Sequence, residues 1–131
     1  MGRKVIVEKT FIKRITDQAR YLEGDLIGYL LEHGMTQGMN VLELGSCIGL
    51  HSREVAKAVY PGKVVSLEKE DTYLLYQKQC SRNTKRGPLL VEGDALSLPF
   101  RDKSFDFAYS RFLFQHLEHP QKTMIEVRRV L

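Results

Sequence analysis

The sequence predicts a doubly wound, mostly parallel α/β domain. From Asn40 onward, short apolar runs alternate with helical stretches, and turn residues separate nearly every pair. The runs are continuously apolar, as a sheet covered on both faces requires. Strands joined through helices of this length pair in parallel, with right-handed crossovers.

Ahead of the alternation, Ile12, Ile15, Ala19, Leu22, Leu26 and Leu30 recur at steps of three and four, which predicts an amphipathic helix or helix pair. Gly24-Asp25 predicts a break in it and Gly34 a stop. Val41-Leu42-Glu43-Leu44 reads as the first strand, followed by a glycine-bearing turn and a helix from about Leu50 to Tyr60, ended by Pro61-Gly62. Val64 to Leu67 is the second strand, closed by Glu68. Asp71 is expected to cap a helix running to about Arg82, with Tyr73, Tyr76 and Cys80 along one face. Leu89 to Val91 and Phe105 to Tyr109 read as the third and fourth strands. A last helix from about Gln121 carries Met124, Val127 and Leu131 at i, i+3 and i+7. The expected organisation is one domain over 1–131, with a helical segment at 1–36 and an α/β core at 37–131.

A chain of 131 residues, 43% apolar and 27% charged, has the composition of a soluble globular protein and excludes disorder as the overall class. The longest near-apolar stretch, Leu26 to Leu31, is far short of the roughly 20 residues that cross a bilayer. Met1-Gly2-Arg3-Lys4 leads into no long apolar segment, and Ile6 stands where a myristoylation signal wants Ser or Thr. The expectation is a cytoplasmic protein with no membrane association. The net charge of +4 lies wholly within residues 1–20, where Arg3, Lys4, Lys9, Lys13, Arg14 and Arg20 face Glu8 and Asp17. One reading is electrostatic contact with RNA, membrane or an acidic substrate. The favoured reading is a solvated face of the leading helix, because no base-stacking aromatic cluster accompanies the charge. Cys47 and Cys80 lack C-x-x-C spacing and read as reduced thiols. His33, His51, His116 and His119 have no cysteines at ligand spacing, so no metal is expected.

In doubly wound folds ligands sit beyond the carboxyl ends of the strands. Glu43-Leu44-Gly45-Ser46-Cys47-Ile48-Gly49 follows the first strand, and glycines there let backbone N–H groups approach a ligand at a helix N-terminus. Glu68, at the end of the second strand, is placed to accept hydrogen bonds from both hydroxyls of a ribose. After the third strand come Glu92-Gly93-Asp94-Ala95, Leu96 and Leu98-Pro99-Phe100. Asp94 either starts a turn or accepts the exocyclic amine of adenine, with Leu96 covering the ring.

Four blocks in this order resemble the class I S-adenosylmethionine-dependent methyltransferases, in their broad small-acceptor subgroup. They are Val41 to Gly45 with Gly49; Glu68; Gly93-Asp94-Ala95 through Leu98-Pro99-Phe100; and Ser104-Phe105-Asp106 through Ser110, continuing to His116-Leu117, Glu126 and Arg129-Val130-Leu131. The resemblance runs from about residue 38 to the last. It implies a Rossmann-like methyltransferase fold with strand order 3-2-1-4 and S-adenosylmethionine as cofactor. On this sequence, Gly45, Ser46 and Gly49 would wrap the methionine part and ribose, with Glu43 close to the amino-acid end. Glu68 would bind the ribose hydroxyls, Asp94 and the backbone of Ala95 would read adenine, and Lys69 and Leu96 would flank its ring. Ser110 would hold the methionine moiety and open towards the acceptor. His116, near the expected acceptor side, is a candidate catalytic contact; the competing reading is a structural residue capping the loop before His119-Pro120.

The pattern has three departures. Cys47 stands where the family usually has a third glycine, which predicts strain if that position needs φ > 0; a reactive thiol at the helix N-terminus is a minor reading. Lys69 replaces the more usual apolar residue against adenine, although its alkyl stem can still cover a ring. The sequence stops in the helix after the fourth strand, where the family continues into three more strands. The expectation is a truncated or split methyltransferase, or one completed by a partner subunit or oligomer covering the exposed fourth strand. A non-catalytic cofactor-binding or regulatory module is the alternative function. A nicotinamide-dependent dehydrogenase comes third, since no G-x-G-x-x-G is present. The methyl acceptor is open among small molecule, lipid, protein and RNA, with a small molecule favoured.

Overall fold

The computed structural model describes residues 6–22, 24–82 and 85–131. Arg3 and Lys4 of the N-terminal charge, with Met1 and Gly2, lie outside the described residues, and so does the side chain of Leu22. Two helices lead the chain, α1 (Lys9–Leu22) and α2 (Leu26–Glu32). The break between them falls where the sequence predicts it. Gly24 takes φ +54, and the Asp25 carboxylate accepts the Gly28 N–H at 2.9 Å, capping α2.

The core follows as β1 (Val41–Leu44), α3 (Ser52–Val59), β2 (Val64–Glu68), α4 (Asp71–Cys80), β3 (Leu89–Glu92), β4 (Phe107–Ser110), a short 3₁₀ turn at Phe114–His116 and α5 (Pro120–Val130). The four strands form one parallel sheet in the order β3-β2-β1-β4. Successive residues of a strand point to opposite faces, and the core divides accordingly. Val41, Val64 and Tyr109 pack with Leu30 of α2 and Val55 and Val59 of α3. Leu42, Leu44 and Leu67 pack on the other face with Leu98, Phe105 and Val130. Helices on both faces of a parallel sheet make the fold doubly wound and Rossmann-like, with strand order 3-2-1-4.

Four expectations need correction. Asp71 begins α4 without capping it; Glu70 holds the cap position, also without a side-chain cap bond. The residues α4 buries are Leu74 and Gln77, while Cys80 is exposed. In α5 the buried positions are Thr123 and Val130, with Val127 beside them, and Met124 is 56% exposed. The stripe is rotated because α5 is held from its flank: Arg129 donates to the carbonyls of Leu98 (3.0 Å) and Phe100 (2.7 Å), and Glu126 accepts the Leu98 N–H at 2.8 Å. The fourth strand starts two residues late, since Phe105 turns into the core and Asp106 ties to Asn40 through both backbone and carboxylate. Among the described residues β4 is an edge strand, paired only with β1.

Candidate functional site

The turn between β1 and α3 contains three left-handed residues in five: Gly45 (φ +71), Cys47 (φ +52) and Gly49 (φ +74). It is tied to β2, because the N–H groups of Gly45 and Ser46 both donate to the Leu67 carbonyl, at 2.9 and 3.1 Å. A Cβ on Gly49 would lie 2.5 Å from the amide oxygen of Gln77. Glycine at 49 thus serves both the φ and the close approach of α4. Cys47 meets the φ requirement without being glycine, at a cost of roughly 1–2 kcal/mol. Its thiol is pushed up to about 11, first by burial and then by the nearby Glu68 carboxylate. Such a thiol stays protonated at neutral pH, which sets the reactive-thiol reading aside.

Gln77 is a site residue that sequence reasoning missed. It is 5% exposed, and its amide donates to Ser46 Oγ at 2.8 Å and to the Cys47 carbonyl at 2.5 Å. A buried amide nitrogen with two bonds to the glycine turn fixes that turn from α4. Beneath the turn, Glu43 is buried in the middle of the sheet. Ser52 Oγ donates to one of its oxygens at 2.5 Å, and the Tyr109 hydroxyl donates to the other. Burial, followed by the Glu43 carboxylate, drives the Tyr109 pKa far above the ordinary phenol value, so this hydroxyl remains a donor.

Glu68 closes β2 and is 7% exposed. One carboxylate oxygen accepts the Cys47 N–H at 2.6 Å, the other the Glu70 N–H at 3.0 Å. A carboxylate offers about four lone-pair sites, so each oxygen keeps one. Glu68 is in register with Glu92, and the Gly93 N–H donates to the Glu68 carbonyl at 3.1 Å, which brings Asp94 alongside. Asp94 accepts the Leu96 N–H at 2.9 Å, and the Lys69 ammonium lies 3.4 Å away. The Leu96 bond, with Lys69 adding to it, holds the Asp94 carboxyl below its usual range.

Two adjoining cavities open at these strand ends. The first, of about 340 Å³, is bounded by Glu43, Gly45, Ser46, Cys47 and Glu68 on the sheet side. The second, of about 520 Å³, is bounded by Glu68, Lys69, Asp94, Ala95 and Leu96. Gly45, Glu68, Leu113 and His116 line both, so the cavities meet there. Eight of the ten residues singled out for cofactor contact therefore line this joined space, as does His116. Gly49 shapes the turn without lining it. Ser110 also lines neither cavity: it pairs with Leu44, and its hydroxyl is buried without a hydrogen-bond partner. The opposite wall of the first cavity belongs partly to α1, through Phe11, Arg14, Ile15 and Gln18. Phe11 stacks on Tyr73 of α4 with ring centroids 5.2 Å apart and planes 4° from parallel. The basic leading helix is thus not merely a solvated face.

A parallel sheet in this order, with a glycine turn and two carboxylate-bearing strand ends around joined cavities, defines the class I Rossmann-like S-adenosylmethionine methyltransferase fold. Residues 42–131 match the family described as methyltransferase domain, and the chain belongs to that family. It is 34% identical over 99 residues to botryococcene C-methyltransferase of Botryococcus braunii, covering 72% of this chain and 25% of that one. It is 32% identical over 101 residues to the sterol 24-C-methyltransferase of Eremothecium gossypii, covering 75% of this chain and 26% of that one. Among solved structures it superposes on a SAM-dependent methyltransferase from Aquifex aeolicus with a TM-score of 0.82 at 25% identity, covering 95% of this chain and 68% of that one. The chain spans about a third or less of the length of the curated relatives it matches.

Proposed function

We propose that the chain binds S-adenosylmethionine across the two joined cavities and serves methyl transfer to a small-molecule acceptor. The observation that carries this reading is Glu68, which stands where the cavities meet, is fixed by two backbone donors and retains a lone pair on each oxygen for a pair of vicinal hydroxyls. The surrounding residues fit the cofactor. The space is of the size that takes ligands of this kind, ~300–1,000 Å³, and Asp94, held ionised, offers an acceptor for an exocyclic amine. In this assignment Asp94 and the backbone of Ala95 read adenine, while Leu96 and the Lys69 stem lie beside its ring. Gly45, Ser46 and Glu43 line the methionine end, and Gly49 shapes the turn. When bound, the cofactor supplies a sulfonium methyl, an electrophile that needs alignment with its acceptor more than covalent help. His116, at the junction, is assigned the acceptor's proton at a ring nitrogen. Relatives whose names specify botryococcene and sterol methylation support the small-acceptor reading. Membership of the methyltransferase family sets the dehydrogenase alternative aside.

Titration calorimetry with S-adenosylmethionine and S-adenosylhomocysteine tests this. Hydrogen bonds to a charged group contribute about 1.5–3 kcal/mol each, so loss of two in Glu68→Ala should weaken both ligands at least about a hundredfold. Unchanged affinity in that variant, or binding of NAD in place of either ligand, overturns the reading.

A further inference from the structure

We propose that the first cavity takes as its methyl acceptor a small organic anion with a flat apolar body, such as an aromatic carboxylate, and that Arg14 recognises the negative group. The inference rests on the methyltransferase reading above and adds to it the chemistry of the acceptor.

Charge accounting inside the cavity points this way. Of the two carboxylates that line it, Glu43 lies beneath the glycine turn with a hydroxyl donor on each oxygen, and Glu68, held by the Cys47 and Glu70 N–H groups, is assigned to the cofactor's ribose, so neither is paired with an arginine of the α1 wall. The lining also carries Arg14 and Arg111. Arg111 acts electrostatically on Cys47 and Tyr109, which puts it at the glycine-turn end. Arg14 lies on the α1 wall, its guanidinium 5.4 Å from the centroid of Phe11, the ring stacked on Tyr73. Among the described residues no carboxylate forms an ion pair with it. A guanidinium steadied on an aromatic face presents a planar fork that matches a carboxylate. A neutral apolar acceptor closing on the same wall would strip water from that cation and return nothing.

The body of the acceptor is indicated by the rest of the lining. Phe11, Ile15 and Tyr73 give one apolar side. Phe112 gives another, held in the left-handed region at φ +55 and still 40% exposed. A bulky ring kept strained and unburied at a cavity wall marks a ligand contact more readily than core packing.

The test uses the full chain and the matched probes 2-naphthoate and 2-naphthamide, titrated with and without saturating S-adenosylhomocysteine. Naphthoate is expected to bind at least tenfold more tightly than the amide. Arg14→Gln should erase that preference and leave S-adenosylhomocysteine affinity unchanged, and Arg20→Gln, on the same helix outside the cavity, should retain it. Equal affinity for the two probes, or a preference untouched by Arg14→Gln, overturns the inference. It is also overturned if Arg14→Gln weakens S-adenosylhomocysteine instead, since the arginine then serves the cofactor's own carboxylate. Failure of S-adenosylhomocysteine to bind at all refutes the methyltransferase reading, whereas probe discrimination without it decides the anion site separately.

Discussion

Replacing Cys47 by glycine separates local strain from side-chain contribution at the centre of the site. The residue sits at φ +52 between two left-handed glycines, and its N–H must keep pointing at Glu68, 2.6 Å away. Relief of the left-handed penalty is worth roughly 1–2 kcal/mol. The extra backbone freedom glycine has when unfolded takes back about 0.5–1 kcal/mol. The thiol is only partly buried, so little packing is lost. The net expectation is a gain of about 0.5–1 kcal/mol, and for a chain of this length the corresponding rise in Tm is about 2–4 °C. Scanning calorimetry on Cys47→Gly and Cys47→Ala decides it, because alanine keeps the Cβ and therefore the strain. Removal of the sulfur from the first cavity should also tighten S-adenosylhomocysteine binding in both variants, since neither glycine nor alanine carries it. A lower Tm for Cys47→Gly, or an alanine variant that gains as much, refutes the strain argument.

Gln77→Leu leaves the Cys47 carbonyl without its buried donor and should lower stability by about 1–3 kcal/mol in urea unfolding; a neutral result would mean the turn holds itself. Tyr109→Phe removes one donor from the buried Glu43 carboxylate and should cost a similar amount, about 1–3 kcal/mol. Asp94 is held below its ordinary value of 3.8, so the native state favours its charged form. Its contribution is complete above that pH and is lost as pH falls through the lower folded-state value. Urea midpoints between pH 5 and 2.5 should therefore fall more for the wild type than for Asp94→Asn.

The fold was legible because its determinants are local. Continuous apolar runs, glycine punctuation and carboxylates at strand ends are each read within a few residues, and together they carry the family resemblance that implies the strand order. The glycine turn, Glu68 and Asp94 were legible for the same reason. What escaped depends on three-dimensional neighbours. Gln77 looks like one more polar residue of an amphipathic helix; only its i+3 relation to Leu74 hinted that it faces inward. The pairing of Glu43 with Tyr109 depends on the register between β1 and β4, which the expected strand order alone does not give. Ser110 shows the converse: its place at a strand end was clear, but not that Tyr109 faces Glu43 while Ser110 turns the other way. Nor could the sequence show that α1 folds back over the first cavity.

That last arrangement has a consequence for access. Among its described side chains α1 buries none fully, although it supplies part of the wall around the first cavity. Its hold on the body of the protein includes a single ring-on-ring contact, and the sheet beneath is packed without it. Displacing such a partition would leave both core clusters intact and would cost chiefly the half-buried apolar contacts of α1, the Phe11–Tyr73 stack among them, so this wall is the part of the cavity that opens at least cost to the fold.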